Sequence, residues 1–575
     1  MLDPVLQVIG YHQETKHHFY RYARALGYMD WANQPNPFRR YEGAPLIPLP
    51  VLRFDEEPLS PMYGDLYRPG SVVGQPITVR SLSRFLEYAL ALSAWKETGG
   101  TRWALRSNPS SGNLHPTEGY LFMELPGVLP SPGLYHYAPK EHALERRADW
   151  PDECFINLMK AFPPGAFLFA LTSIHWRESW KYGERGFRYC QHDVGHALGA
   201  ARIAAAALGW RMTLLDDLGD DLLAALLGIN RPEDYADAEP EHPDCAAVIW
   251  RNEQASVPVD ERPCHLPLFL VEEATRGLNH ATWYGKANRL SRGKPDPWEI
   301  IDVVAAASSK PASDQTGLPL PRLSARFQSN KAHDERNTGS LRAGHIIRQR
   351  RSALAFDGKT SLTATCFFSM LSRVFARPLQ QVLERPLPWD VIQWDPMVHL
   401  ALFVHRVEDL PPGLYMLIRD TAKTDELRGA MHGHFAWARP QGCPDDLPLF
   451  LLQAGDTRRL ATQVSCHQEI AGDGAFSLGM IAEFESSLRA YGAWFYRRLF
   501  WETGIIGQVL YLEAEAAGVR GTGIGCFFDD PVHQVFGFQD TRFQSLYHFT
   551  VGGHVEDPRL TTLPAYGSHT DRKDA

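Results

Sequence analysis

The feature that most constrains this chain is that part of it is written twice. Tyr182-Gly183 recurs as Tyr491-Gly492, Arg188 as Arg497, Asp193 as Glu502, Gly195 as Gly504 and Gly209 as Gly518, each 309 residues later. Pro132-Gly133-Leu134-Tyr135 also returns, as Pro412-Gly413-Leu414-Tyr415. A single spacing held without a gap over so many positions predicts a fused duplicate. The chain should therefore fold as two related lobes about a pseudo-twofold axis, the covalent counterpart of a homodimer. Length agrees, since 575 residues are too many for one ordinary hydrophobic core.

Hydrophobic periodicity fills in the lobes. Leu82, Phe85, Leu86, Ala89 and Leu90 fall at helical spacing, Tyr120 to Met123 and Pro132 to Tyr137 read as strands, and Phe167 to Ser173 reads as a buried strand. Trp176 to Gly209 reads as a long helix whose alanines, from Ala197 on, would let a second helix approach closely. The first 76 residues are aromatic and rich in His and Pro, which predicts an extension wrapped on a folded body rather than a disordered tail. Between 253 and 340 the periodicity fades into Pro, Ser, Lys and Asp, which predicts a linker with one helix near Trp298 to Ala307. The expected organisation is an extension (1–76), a first domain (77–252), the linker (253–340), a second domain (341–560) and a tail (561–575).

One stretch reads as a turn built to present groups to a ligand: Asn108-Pro109-Ser110-Ser111-Gly112-Asn113-Leu114-His115-Pro116-Thr117-Glu118. Pro109 and Pro116 stiffen it, and Gly112 permits close backbone approach. Its bland reading is an N-terminal cap for a following helix. Together with Ile347-Arg348-Gln349-Arg350-Arg351-Ser352, Glu502-Thr503-Gly504 and Gly552-Gly553-His554, it resembles in order and context the flavin-binding motifs of the nitroreductase fold. The His-Pro-Thr-Glu version of the turn and the Gly-Leu-Tyr repeat look most like the SagB-type branch, FMN-dependent dehydrogenases that oxidise thiazolines and oxazolines in modified peptides.

The resemblance implies an α+β chain in which two nitroreductase-like domains form a pseudo-twofold dimer holding FMN between them. It implies that Arg350, Arg351 and Ser352 take the phosphate, with Arg559 closing that end, as forked cationic donors suit a phosphate. It implies that Pro109, Ser110, Ser111 and Asn113 edge the isoalloxazine from the other lobe, and that Glu502 and Gly504 lie near its reactive nitrogen. Lys181-Tyr182 resembles the Lys-Tyr pair of the azoline-oxidising branch and would assist proton movement. The second lobe has Ala490-Tyr491 there, and Asp395-Pro396-Met397-Val398-His399 where the turn would be. Leu354 stands where the family carries an arginine. One complete site, and so one FMN per chain, is expected.

Other function classes find less support. A net charge of −9 without long single-sign runs argues against a nucleic-acid surface, and no apolar run is long enough to cross a bilayer. Eight scattered cysteines with no CxxC pair suggest reduced thiols in a cytoplasm. His192 and His196, four apart around Asp193, could hold a metal in a hydrolase, but packing or pocket hydrogen bonding is the preferred reading and no metal is expected. Gly521-Thr522-Gly523-Ile524-Gly525 looks like a dinucleotide loop, yet lacks the strand-loop-helix setting and reads as a strand entry. The expected partners are a small-molecule or modified-peptide substrate, with NAD(P)H as a further candidate, for a pseudo-dimeric monomer or a higher oligomer. A flavin-free scaffold or peptide-binding protein is the alternative from another class.

Overall fold

A computed structural model describes residues 3–125, 132–252, 266–312, 341–376 and 385–567. The first antiparallel sheet is built from β1 (Thr117–Met123), β2 (Gly133–Ala138), β3 (Ala143–Asp149), β4 (Phe167–Ser173), β5 (Trp210–Leu214) and β6 (His242–Arg251). The second is built from β7 (Val398–Val404), β8 (Gly413–Leu417), β9 (Leu449–Ala454), β10 (Phe476–Glu483), β11 (Arg520–Ile524) and β12 (Phe543–Gly552). The first runs β3-β2-β1-β4-β6-β5 and the second β9-β8-β7-β10-β12-β11, which is the same order shifted by one set. Even the irregularities correspond. The repeated Pro-Gly-Leu-Tyr places a bulge between Leu134 and Tyr135 in one sheet and between Leu414 and Tyr415 in the other.

The helices match in the same way. In the first lobe α1 (Val79–Ala89), α2 (His175–Tyr182), α3 (Gly186–Ala207) and α4 (Asp220–Leu227) correspond to α5 (Ala364–Val374), α6 (Glu485–Tyr491), α7 (Phe495–Ala516) and α8 (Asp529–Phe536) in the second. α1 begins where Thr78 and Ser81 form a capping box, and it turns Leu82, Phe85, Leu86 and Ala89 into the core. α3 and α7 are each 22 residues long and almost wholly buried, because each packs on its own sheet and on the other helix.

The two long helices cross at the repeated glycine. A Cβ on Gly504 would lie 2.6 Å from the Cα of Gly195 and 2.3 Å from the carbonyl oxygen of His192, so only glycine admits this approach. Equivalent residues therefore meet on the axis, as they do in a twofold interface. The flanking ion pairs are reciprocal. Arg188 of α3 bonds Asp529 of α8 at 2.9 Å, and Arg497 of α7 bonds Asp220 of α4 at 2.5 Å. Asp529 also receives Arg185, and these charges hold its carboxyl down at about 2 against the opposing cost of burial. Breaking a buried pair from one side leaves the other charge stranded. Asp529→Asn should therefore cost about 3–5 kcal/mol of stability in urea unfolding, since it strands two arginines at once.

The remaining segments tie the lobes together. The helix Pro4–Glu14 of the N-terminal extension sets Tyr11 Oη on the carbonyl of Glu184 and His12 against Tyr496, while Lys16 pairs with Asp530. Residues 266–312 are more ordered than their composition suggests. They form helices Leu268–Gly277 and Glu299–Ala307, a strand Thr282–Trp283 on β3 and a strand Lys286–Ala287 on Tyr41–Glu42. Residues 313–340 lie outside the described set. At the far end, Thr561–Leu563 crosses back to pair with Leu92–Thr98, which forms a hairpin with Thr101–Arg106 of the first lobe. Among the described residues no helix is long and apolar enough to cross a membrane.

Candidate functional site

The turn at 108–118 is backbone under load. Gly112, Asn113 and His115 all take left-handed φ, at 57°, 60° and 52°, a conformation that costs a residue other than glycine free energy unless its surroundings enforce it. Three sets of bonds do so. Asp193 of α3 accepts Ser111 N–H at 3.0 Å and the Ser111 hydroxyl at 3.0 Å. Asn113 donates to Ala104 O at 2.8 Å, and Arg177 Nη1 donates to His115 O at 2.6 Å. Ser110 Oγ accepts the His115 N–H at 2.8 Å, closing the turn on itself.

Asp193 sits in the helix core, and burial pushes its carboxyl up to about 7 against the serine bonds that favour the ion. The folded protein thus keeps this proton up to about pH 7, while the unfolded chain releases it near the ordinary aspartate value. Between those points the native state binds more protons, so stability falls as pH rises through the window. Asp193→Asn should remove that term. In urea titrations the variant should gain about 2 kcal/mol or more on the wild type between pH 4 and pH 8. An unchanged difference across that range would count against the assignment.

Lys181 and Tyr182 close the turn from α2. A Cβ on Gly112 would fall 2.7 Å from Tyr182 Oη and 3.1 Å from Lys181 Nζ, so the bare glycine lets the pair reach it. Tyr182 stacks on Tyr189 with ring centroids 4.1 Å apart, and burial raises its phenol well above the usual value. One turn back on the same helix, Glu178 is fully buried with neither carboxylate oxygen bonded, and burial, then Asp193, pushes it well above its usual range. The sequence reading missed it, although its spacing of three from Lys181 and four from Tyr182 puts all three on one helix face.

Arg350 and Arg351 of the second lobe reach into the first, onto Arg106 and Ser93, two residues and more from this turn. Arg350 is buried, with Nη2 on the carbonyl oxygen of Arg106 at 3.0 Å and its guanidinium 5.0 Å from the Tyr511 ring. Arg351 bonds Arg348 O and Ser93. Neither arginine has a carboxylate ion-pair partner among the described residues. Burial lowers both, Arg351 to about 10 with the charge of Arg350 as the second cause. Ser352 Oγ meets Tyr511 Oη at 2.9 Å, and that phenol accepts Gly523 N–H at 2.9 Å. Close by, Arg350 Nε, Arg106 Nε and Asn108 Oδ1 are buried without partners. Two neighbouring guanidiniums with unpaired Nε donors beside them suit an anion.

β11 supplies a surface the sequence reading set aside. It is a strand, as expected, and Gly521, Gly523 and Gly525 share one face. A Cβ at these positions would meet Phe549 at 2.6 Å, Tyr547 at 1.8 Å and Tyr189 at 2.0 Å, so only the bare backbone admits these three side chains. The equivalent face in the first lobe is Met212, Leu214 and Asp216, with Asp216 bound by Arg498 at 2.7 Å. Three alternating glycines in a strand were a legible sign of such a face.

Other expected site residues stand elsewhere. Glu502 is the pseudo-twofold mate of Asp193, and it accepts Met397 N–H at 3.1 Å and Val398 N–H at 3.2 Å, with Arg419 on its carboxylate. It clamps the segment that replaces the turn. Gly504 lies in the middle of α7, where helix N–H groups are already bonded, and it packs on Gly195. In this structure these two, expected near a ring nitrogen, act as a clamp and as the crossing point of the long helices. Arg559, 82% exposed, is chelated by Asp557 at 2.7 Å on the surface. His192 Nδ1 pairs with Thr503 at 3.0 Å and His196 Nε2 with Tyr547 Oη at 3.2 Å, while Asp193 serves the turn, so the three diverge instead of converging on a metal.

No family model matches the sequence. A Methanocaldococcus jannaschii protein provisionally named a nitroreductase is 29% identical over 139 residues, which are 23% of this chain and 66% of that relative. The match thus spans just under two thirds of the relative's length. A solved structure from Anabaena variabilis, provisionally described as a nitroreductase, superposes with a TM-score of 0.64 at 21% identity over 96% of this chain and 99% of that one. The chain accordingly has the nitroreductase-like fold throughout, as two such domains in one polypeptide.

Proposed function

We propose that this chain is an FMN-dependent oxidoreductase of the nitroreductase type, a fused duplicate that keeps one flavin site and has lost its mate. The observation that carries the reading is the pair Arg350, buried, and Arg351, half-buried, which reach from the second lobe onto Arg106 and Ser93 of the first with no carboxylate ion-pair partner among the described residues. A phosphate answers that arrangement, and forked guanidinium donors grip one in two places. Ser352 would join them, with Pro109, Ser110, Ser111 and Asn113 on one side of the isoalloxazine. In the first lobe the strand equivalent to β11 carries Met212, Leu214 and an Arg498–Asp216 pair, and Arg419 occupies Glu502, which supports one site rather than two.

FMN bound there supplies two-electron hydride chemistry. The chain's own part is position and proton handling. Asp193 holds the turn. The raised phenol of Tyr182 stays protonated at neutral pH, so it gives a hydrogen bond or a proton rather than taking one, and Lys181, exposed beside it, faces the solvent from which substrate comes. The resemblance to the SagB-type branch favours oxidation of a thiazoline or oxazoline in a modified peptide, and reduction by NAD(P)H is the second reading. The purified chain, or the chain given FMN, should be yellow. Anaerobic mixing with an azoline-containing peptide should bleach the flavin band. Bleaching by NAD(P)H alone would turn the assignment to a reductase, and a colourless chain that refuses FMN would leave a scaffold.

A further inference from the structure

Cys466 and Cys526, 60 residues apart in sequence, have their Sγ atoms 2.7 Å apart. That is well inside ordinary contact of two unbonded sulfurs, though beyond the ~2.05 Å of a disulfide. Two bonds hold their segments face to face: Phe528 N–H donates to Val464 O at 2.8 Å, and Gln468 Nε2 donates to Cys526 O at 2.9 Å. Cys466 and His467 take left-handed φ of 54° and 58°, two successive strained residues that present the sulfur to its partner. Both cysteines are partly exposed, so a small thiol reagent can reach them.

Their position ties them to the candidate flavin site. Cys526 follows Gly525 directly, and the backbone of Gly525 lies against Tyr189, which stacks on Tyr182 at the turn. Arg185 Nη2 donates to Gly525 O at 3.3 Å and brings a cation to the same corner. In the first lobe the residue equivalent to Cys526 is Asp217, so the thiol belongs to the side that keeps the site.

We propose that Cys466 and Cys526 form a reversible dithiol–disulfide couple that passes two electrons between the flavin site and an external dithiol. The relay rests on the flavin reading above. One S–S bond forms, two electrons would pass to the oxidised isoalloxazine, and two protons would follow, one from the Cys466 S–H and one from the Cys526 S–H or, where that sulfur is thiolate, from solvent. An external dithiol then restores the pair by thiol–disulfide exchange, through a mixed disulfide, and is itself oxidised to a disulfide. Cys526 is the sulfur suited to be thiolate, since its contact with Cys466 and then the charge of Arg185 lower it against burial.

The test has two arms. The flavin-free chain is equilibrated in oxidised and reduced dithiothreitol, its remaining thiols are alkylated, and the peptides are mapped by mass. A Cys466–Cys526 cross-link that appears and disappears with the poise is expected. The FMN-loaded chain is then mixed anaerobically with dithiothreitol, and the flavin band should bleach at least about tenfold faster than in Cys526→Ser or Cys466→Ser. Both variants should still take up FMN, which reports their folding. No cross-link at any poise, or equal bleaching in yellow variants, overturns the relay. A cross-linking chain that binds no FMN overturns it too, and identifies the flavin reading as the part that failed.

Discussion

Arg350→Gln abolishes most of the affinity for FMN, by roughly a hundredfold, and at the same time leaves the flavin-free protein as stable as the wild type or more so. The first effect follows from removing charge-assisted bonds to a phosphate, worth about 3 kcal/mol, which is about two decades in Kd. The second follows from the state of Arg350 in the free chain, where it is buried beside Arg351 with Nε unbonded and no carboxylate ion-pair partner among the described residues. Glutamine removes the cost of burying that charge. A residue kept only for packing would show the opposite pattern, with stability lost and affinity spared. Arg559→Ala is the contrast, since Arg559 stands 82% exposed on Asp557 and should change affinity by less than about threefold. Flavin fluorescence titration and urea unfolding measure both quantities on both variants.

Gly504→Val costs about 3 kcal/mol or more of stability and lowers FMN uptake with it. Overpacking is cheap where a flexible side chain can swing aside, but here the nearest atoms are backbone, His192 O at 2.3 Å and Gly195 Cα at 2.6 Å. The only relief is to move α7 off α3, and with them the two lobes that meet where Arg350 bonds Arg106. Gly429→Ala is the control. Nothing lies within 4 Å of a Cβ there, so alanine should be neutral or slightly stabilising. If Gly504→Val unfolded like the control, the crossing would not be the joint that sets the lobes.

Much of the architecture could be read in the sequence because repetition carries geometry. The constant spacing of 309 marks residues that end up symmetry-related, so Gly195 with Gly504 and Asp193 with Glu502 were legible as pairs. What those pairs do was not. Asp193 clamps Ser111 across 82 residues, and Glu502 clamps the degenerate turn, contacts that no local pattern encodes. The resemblance put Glu502 and Gly504 beside the ring, and their packing against Met397, Val398 and Gly195 was not legible in the motif. The glycines of β11 were visible yet read only as strand entry, since a face becomes evident once its neighbours are known. Residues 266–312 looked like linker because short helices and two-residue strands are too brief to show periodicity. Cys466 and Cys526, far apart in the chain, have no spacing signature at all.

The central claim, one composite flavin site built from complementary halves, is tested most directly by the stoichiometry of FMN at saturation on the purified chain. The account predicts one FMN per chain, reduced to none or to weak uptake by Arg350→Gln. Two per chain would mean that the site bearing Glu502 and Arg419 is still open, and none would mean that the buried arginines answer some other anion.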